Sequence, residues 1–153
     1  MKKFFVRIHR GIRKFFSVVI IPNCIFNGLR IFLYRLCGYK IGKKCFIGMK
    51  CYLDDVDPKC LIIENRVCIS YGVYFACHGP GRKHTPIIIK EGAYIGMRSS
   101  IIAKKDGGGG NNKMIIGKNA IIGACTLVNK DIPDECIALG VPCKILKNSE
   151  SAL

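Results

Sequence analysis

Large apolar side chains recur every sixth residue in this chain, in four sets of three. A fixed period of this kind indicates a solenoid, in which each repeat packs on its neighbours, and a period of six is typical of parallel β-helices. An ordinary half-buried strand would instead alternate apolar and polar residues. Each set therefore predicts one three-sided coil. The twelve anchor positions are Ile41, Ile47, Leu53, Ile63, Ile69, Phe75, Ile89, Ile95, Ile101, Ile116, Ile122 and Val128.

Residues that follow the anchors fit the same coil. Glycine often comes directly after the anchor, as at Gly42, Gly48 and Gly96, and we expect it to allow the tight corner between two faces. Four positions after the anchor stands a small or β-branched residue, which a narrow coil can hold beside a bulky one. These residues are Cys45, Cys51, Val67, Val73, Ala93, Ser99, Ala120 and Thr126.

Insertions interrupt the register between coils. The first anchors of successive sets are 22, 26 and 27 residues apart, whereas an uninterrupted coil would take 18. Loops that leave a rigid scaffold commonly carry function. The second insertion, 76–88, contains His78, Arg82 and His84. The third, 103–115, contains the run Gly107 to Gly110, which we expect to form a flap over a cleft.

The composition favours one domain with reduced thiols. The chain has 153 residues, half of them apolar, which is enough for a continuous core. Its ten cysteines include no Cys-x-x-Cys pair, and Cys45, Cys51 and Cys136 stand where the repeat requires a small buried residue. We therefore expect core thiols in a cytoplasmic protein, with neither a disulfide scaffold nor a metal.

Basic residues are concentrated at the start of the chain. Residues 1–44 contain eleven lysines and arginines and no aspartate or glutamate, in a protein of formal net charge +15. Nucleic acid is one partner that such a charge suits. A membrane surface fits the pattern better, because Phe5, Ile8, Ile12 and Phe15 recur at helical spacing opposite the basic residues. We expect peripheral contact with the inner membrane face through residues 1–37, and no nucleic-acid partner.

Neither a transmembrane helix nor a secretory signal is predicted in the N-terminal segment. Its apolar stretches fall short of the roughly 18 uncharged residues that a transmembrane helix needs. The apolar run 17–21 is too short for a secretory signal, and no small-x-small cleavage site follows it. The segment could also serve only as a cap on the open end of the coil. The predicted division is a basic amphipathic helical segment at 1–37, the coil at 38–147 and a disordered tail at 148–153.

The motifs of residues 33–147 resemble the hexapeptide-repeat acyltransferases, especially the sugar O-acetyltransferases of the galactoside, maltose and capsule or lipopolysaccharide type. The most specific part is the closing run, with two hexapeptides, a Lys-Asp-x-Pro turn and a Gly-x-Pro-Cys-Lys exit. In residues 115–147 it reads IIGKNAIIGACTLVNKDIPDECIALGVPCKILK. The start of the coil also resembles the family, with Gly-x-Lys-Ile-Gly and the pair Asp54 and Asp55.

This resemblance implies an all-β solenoid, namely a left-handed parallel β-helix of hexapeptide repeats behind a short N-terminal helical segment. Parallel crossovers are right-handed in nearly all other proteins, so the handedness is implied by the family alone. The resemblance further implies a homotrimer with active sites in the clefts between subunits. Acetyl-coenzyme A would be the co-substrate and a sugar or glycan the acceptor.

Transfer of an acetyl group to a hydroxyl requires a base, because a sugar hydroxyl does not ionise at neutral pH. Histidine suits this role, since imidazole is largely neutral and still basic near pH 7. His78 matches the position of the family's catalytic histidine. Asp54 or Asp55 would orient it, although two acids at a corner could also be merely solvated. His84 resembles a histidine of serine acetyltransferases, and we place His84 and Arg82 at the acceptor.

The resemblance also implies a set of coenzyme contacts. Ser70, Met97 and Ala124 align with positions that contact the pantetheine arm, largely through backbone groups. Asn129, Lys130 and Lys147 align with positions near the adenosine phosphates, where a mobile positive charge is suitable. Asn129 and Lys147 replace the threonine and arginine that the family often has.

The sequence thus predicts an acetyl-coenzyme A-dependent O-acetyltransferase that acts on a sugar hydroxyl of a glycan or polysaccharide precursor, with His78 as general base. Serine O-acetylation is an alternative, suggested by residues 81–84, and so is N-acetylation of an amino sugar. A γ-type carbonic anhydrase shares the coil but needs three histidine ligands for zinc. A scaffold without enzymatic activity would bind no coenzyme A.

Overall fold

The computed structural model describes residues 2–78, 84–103 and 113–147. The N-terminal part is helical. Helix α1 spans Lys2–Phe15 and helix α2 spans Asn27–Leu36. A π-helical segment, Phe16–Ile20, and a 3-10 turn, Ile21–Asn23, join them. No helix in these described ranges is both long and apolar enough to cross a membrane.

The rest of the described chain forms three sheets. Sheet A contains β1 (Lys40–Ile41), β3 (Leu61–Ile63), β6 (Ile87–Ile89) and β9 (Met114–Ile116). Sheet B contains β2 (Phe46–Ile47), β4 (Cys68–Ile69), β7 (Tyr94–Ile95), β10 (Ile121–Ile122), β12 (Cys136–Leu139) and β13 (Lys144–Lys147). Sheet C contains β5 (Tyr74–Ala76), β8 (Ser100–Ile102) and β11 (Leu127–Val128). Neighbouring strands are parallel, except that β13 pairs antiparallel with β12.

The hexapeptide-repeat coil is confirmed. Equivalent anchors pair from coil to coil, as Ile63 with Ile89 in sheet A, and Ile69 with Ile95 in sheet B. Every anchor but one is buried, and the exception, Ile41, is half-buried in the first coil. The small residues four positions later are buried as well, including Cys45 and Cys51. The core is therefore one continuous column of large and small side chains.

The glycines after the anchors have a different role from the expected one. The left-handed backbone conformation of each corner occurs at the third residue after the anchor and not at the glycine. Examples are Lys44 (φ 55°), Arg66 (φ 57°) and Asn119 (φ 52°). Gly96 is needed for space instead, because a Cβ there would lie 2.5 Å from the Ala124 nitrogen of the next coil. Stacking distance, and not turn geometry, thus excludes larger residues at this position.

We expect Gly96→Ala to lower the free energy of unfolding by about 3 kcal/mol, because backbone of the next coil must move to admit the methyl group. Gly28→Ala is the matched control. A Cβ on Gly28, the second residue of α2, would meet nothing within 4 Å, so alanine there should change the free energy of unfolding by less than about 1 kcal/mol. Urea unfolding of both variants measures the difference. Equal stability of the two variants would contradict the stacking argument.

Candidate active site

A histidine and a buried carboxylate meet where the second coil leaves sheet C. Nδ1 of His78 lies 2.6 Å from Oδ2 of Asp54. Asp54 is fully buried, whereas about a third of the His78 side chain is exposed. His78 follows β5, and Asp54 follows the anchor Leu53 in the preceding coil. Stacking of the two coils therefore brings together residues that are 24 positions apart.

Backbone groups fix the Asp54 carboxylate. Its Oδ2 also accepts a hydrogen bond of 2.6 Å from the Cys77 amide, and its Oδ1 accepts one of 3.0 Å from the Val56 amide. Tyr39 donates its hydroxyl hydrogen to the Leu53 carbonyl at 2.7 Å, and so holds the backbone just before the aspartate. A carboxylate with this many donors is confined to one orientation.

These contacts assign the hydrogen on the imidazole. A carboxylate oxygen only accepts, so the Nδ1 of His78 carries the hydrogen that points at Asp54. The second ring nitrogen, Nε2, then keeps its lone pair. An oriented imidazole with a free lone pair on the exposed side of the ring can remove a proton from a hydroxyl group.

Asp55 faces a different set of partners. Tyr52 donates its hydroxyl hydrogen to Oδ1 at 2.6 Å, and Lys14 of α1 lies 2.9 Å from Oδ2. Arg13 donates to the Asp55 carbonyl at 3.1 Å. Of the two acids proposed as the orienting partner, only Asp54 contacts His78, and both are buried. The alternative that they are solvated at a corner is therefore wrong.

The contacts of Asp55 set its titration. Burial works to raise the pKa of Asp55, but the Tyr52 hydroxyl and the Lys14 ammonium outweigh it and lower that pKa below its ordinary value. Burial, together with the same carboxylate, raises the pKa of Tyr52. The ion pair thus holds α1 against the residue next to Asp54.

We expect Lys14→Met to lower the free energy of unfolding by up to about 1 kcal/mol at pH 7, since the lysine is partly exposed. Because the folded-state pKa of Asp55 lies below the unfolded one, the carboxylate stabilises the fold above the unfolded value, about 4. That contribution is lost as pH falls further, through the folded pKa. The difference between variant and wild type should then disappear in acid. Lys59→Met, which removes an exposed lysine elsewhere, is the control for net charge.

His84 lies beside the pair. Its backbone forms an antiparallel bridge with His78, and the Thr85 amide donates to the Cys77 carbonyl at 2.7 Å. The His84 side chain is exposed. This position is compatible with acceptor contact, which stays a prediction. Arg82 and the Gly107–Gly110 run lie outside the described residues, as does the predicted tail.

The predicted coenzyme contacts lie elsewhere on the coil. Ser70, Met97 and Ala124 precede the strands of sheet C, whereas His78 follows one of them. Met97 and Ala124 occupy equivalent corners of successive coils, and the Cys125 amide donates to the Met97 carbonyl at 2.9 Å. All three lie at least partly open to solvent. Their role with the coenzyme stays a prediction.

The residues that we predict near the adenosine phosphates of the coenzyme form two further groups. Asn129 and Lys130 follow β11, so they lie at the same end of the sheet C strands as His78 but two coils later. Lys147 ends β13, the antiparallel strand of sheet B, and is exposed like Lys130. One chain therefore does not gather the predicted residues into one pocket.

Four residues that support this corner were not predicted from the sequence, and Tyr39, which holds the Leu53 carbonyl, is the first of them. Tyr52 stacks on Tyr74 with ring centroids 4.6 Å apart and also holds Asp55, while Arg13 and Lys14 reach Asp55 from α1. The only signal for the last two was their place on the basic side of the amphipathic helix. In the described ranges, no three His, Cys, Asp or Glu side chains cluster as metal ligands would.

Comparison with protein-family models gives no match. Among curated proteins, the chain is 34% identical over 100 residues to the bifunctional protein GlmU of Thermosipho africanus, covering 65% of this chain and 19% of the relative. It is 27% identical over 122 residues to a putative acetyltransferase of Staphylococcus aureus, covering 74% of this chain and 57% of the relative. The chain thus spans between a fifth and three fifths of these relatives.

Solved structures are similar over nearly the whole chain. The hexapeptide-repeat containing acetyltransferase VCA0836 of Vibrio cholerae matches with a TM-score of 0.69 and 21% identity, over 96% of this chain and 92% of that one. A serine acetyltransferase in complex with cysteine matches with a TM-score of 0.60 and 23% identity, over 94% and 56% of the two chains. The observed coil and these likenesses identify the chain as a hexapeptide-repeat protein with the β-helix fold of the hexapeptide-repeat acetyltransferases.

Proposed function

We propose that this protein transfers an acetyl group from acetyl-coenzyme A to a hydroxyl group, with His78 as general base. The contact between His78 and the buried Asp54 carries the proposal. A structure of the similar Vibrio cholerae acetyltransferase is a complex with acetyl-coenzyme A, and it has a TM-score of 0.64 and 22% identity. The fold and the pair together support this class of reaction over a scaffold role.

The proposed chemistry follows from the free lone pair on Nε2. That nitrogen takes the proton of the acceptor hydroxyl as its oxygen attacks the thioester carbonyl carbon. The new C–O bond forms, the C–S bond breaks, and the imidazolium returns the proton to the leaving thiolate. Asp54 stabilises the imidazolium between the two steps and keeps the ring in place. No second base is needed to balance the reaction.

A sugar hydroxyl of a glycan or polysaccharide precursor is the acceptor that we propose. The closing run of residues 115–147 and the Asp54–Asp55 pair support it through their resemblance to sugar O-acetyltransferases. Serine is the second candidate acceptor, because His84 pairs with His78 through the backbone and serine acetyltransferases are structurally similar. An exposed imidazole next to the base suits either a hydroxyl acceptor or its neighbouring carboxylate.

The decisive assay measures free thiol release from acetyl-coenzyme A by the purified chain. Sugars, sugar nucleotides, amino sugars and serine are tested separately as acceptors. Acceptor-dependent release with a sugar, and an ester in the product, is the expected result. Release with serine alone would select the second candidate. Absence of coenzyme A binding, measured by calorimetry, would rule out the proposal.

We further propose a homotrimer that completes the site. In one chain, His78 lies at the end of the sheet C strands opposite to Ser70, Met97 and Ala124. A second copy would bring its own coenzyme-contact residues to each histidine. An exposed apolar row on sheet B supports assembly, with Phe46, Tyr94 and Ile121 each 38–47% exposed. These residues stand in register across the sheet.

Assembly gives a direct prediction. Light scattering should give a molar mass three times the 17.0 kDa of one chain. Replacement of Tyr94 and Ile121 by lysine should reduce the mass to that of one chain, because a charge in an apolar interface is costly without a partner. The control is Tyr71→Lys, an exposed aromatic at a corner. A monomeric wild-type protein with full activity would contradict the trimer.

A further inference from the structure

Helix α1 packs on the coil with its polar side. Arg13 and Lys14 contact Asp55, and Ser17, just after the helix, is 2% exposed. Three apolar side chains of the same helix are open to solvent, with Ile8 43% exposed and Ile12 and Phe15 each 54% exposed. This arrangement is the reverse of a normal surface helix, which buries its apolar side.

Helix α2 also leaves large apolar residues exposed, while it buries an arginine. Arg30 is 1% exposed, and its guanidinium donates from Nε to the Ile47 carbonyl at 2.7 Å and also reaches the Cys24 carbonyl. Leu29, Phe32 and Leu36 on the same helix remain 47–68% exposed. Ile31 and Tyr34 of the same helix are buried as well, so α2 presents apolar residues both to the core and on its outer side.

The two helices form one apolar surface. A groove of about 430 Å³ lies between them, lined by Ile12 and Phe16 on one side and by Leu33 and Leu36 on the other. We call the exposed apolar side chains of residues 8–36 the helical surface. A continuous patch of this kind on a folded domain marks a contact with an apolar phase or partner.

Positive charges surround the helical surface. Arg35 donates to the Ile41 carbonyl at 3.1 Å, and the exposed Lys43 and Lys44 follow directly in the first coil. At the turn between the two helices, the amide of the exposed Lys50 donates to the Pro22 carbonyl at 2.8 Å. The chain has no acidic residue before Asp54. The surface is thus apolar at its centre and cationic around it.

We propose that the helical surface docks on a phospholipid bilayer that contains anionic lipid, with α1 and α2 lying in the interfacial plane. The apolar side chains enter the boundary of the acyl chains, and the surrounding lysines meet the lipid phosphates. A second copy of this chain is a poorer occupant. It would bring the same cations against one another, because residues 1–53 of either copy offer no carboxylate to pair them.

Vesicle flotation with the full chain tests this docking. Vesicles of phosphatidylcholine with phosphatidylglycerol should float together with bound protein, whereas pure phosphatidylcholine vesicles should bind far less of it. About 0.5 M salt should release much of the bound protein. Leu29→Ser with Leu36→Ser should weaken binding about tenfold or more. Lys43→Gln with Lys44→Gln should weaken it about fivefold per lysine.

The matched control is Val141→Ser with Leu146→Ser, which changes two apolar residues of similar exposure, 69% and 51%, in the last coil. These variants should bind vesicles like the wild type. Circular dichroism confirms that all variants remain folded. Absence of flotation by the wild type, or equal binding by the leucine variant, would overturn the proposal. A change of mass in the leucine variant without any vesicle binding would assign the surface to a second copy.

Discussion

Replacement of His78 by alanine should lower kcat by about a thousandfold, because a positioned general base contributes roughly 10²–10⁴. The methyl group of alanine cannot take the proton of the acceptor hydroxyl. Within the described part of the chain the half-buried ring has one hydrogen bond, to Asp54, so its loss should leave the coil intact. Thiol release from acetyl-coenzyme A measures the rate, and calorimetry should show unchanged coenzyme binding.

His84→Ala is the matched control for this experiment. It removes an exposed imidazole whose backbone pairs with His78. If His84 contacts the acceptor, KM for the acceptor should rise by about tenfold while kcat changes little. Turnover that persists in His78→Ala, or that disappears only in His84→Ala, would show that His78 is not the base. It would then leave the His78–Asp54 contact as a purely structural one.

Asp54→Asn should lower kcat by about a hundredfold and also destabilise the coil by about 1–3 kcal/mol. The carboxylate uses Oδ2 for both His78 and the Cys77 amide, and Oδ1 for the Val56 amide. An asparagine has only one oxygen. Its amide nitrogen must therefore face a backbone N–H group or the imidazole N–H, and the ring loses its fixed orientation.

The neighbouring substitution separates these effects. Asp55→Asn removes a carboxylate that contacts Tyr52 and Lys14 but not His78. It should therefore cost stability and leave kcat within about tenfold of the wild type. Urea unfolding and thiol release are measured on the same preparations, at a temperature where each variant is folded. Equal kcat losses in the two variants would show that Asp54 acts only through the stability of the coil.

Two buried cysteines near His78 and Asp54 are poor nucleophiles. Burial, followed by the nearby carboxylates, raises the pKa of the Cys77 thiol, and similar causes raise the pKa of Cys60 to about 11. A thiol with such a pKa is protonated at neutral pH and a poor nucleophile. Neither thiol therefore competes with His78 as the proposed base. The burial of Cys60 and Cys77 agrees with the sequence interpretation of core thiols, but that interpretation is wrong for Cys125, which is exposed, and Cys24, Cys37 and Cys68 are only partly buried.

The coil could be predicted because its signal is local and repeated. Each anchor, from Ile41 to Val128, belongs to a six-residue pattern of one large and one small apolar residue, and a narrow coil leaves few alternative ways to bury that pattern. The role of Gly96 was harder to predict. The sequence shows that a glycine stands there, but only the stacked coils show that the nearby Ala124 backbone excludes a side chain.

The sequence by itself determined the period, the core residues and the histidine that begins the second insertion. Only the tertiary structure decided which acid meets it. Asp54 and Asp55 are adjacent and no local pattern distinguishes them, but the chain bends at Asp55 and the two side chains face different partners. Stacking of the coils therefore directs Asp54 to His78 and leaves Asp55 to Lys14 of α1. Long-range packing also decided that Arg30 of α2 is buried, because a buried polar group needs a partner and the Ile47 carbonyl of the coil supplies one.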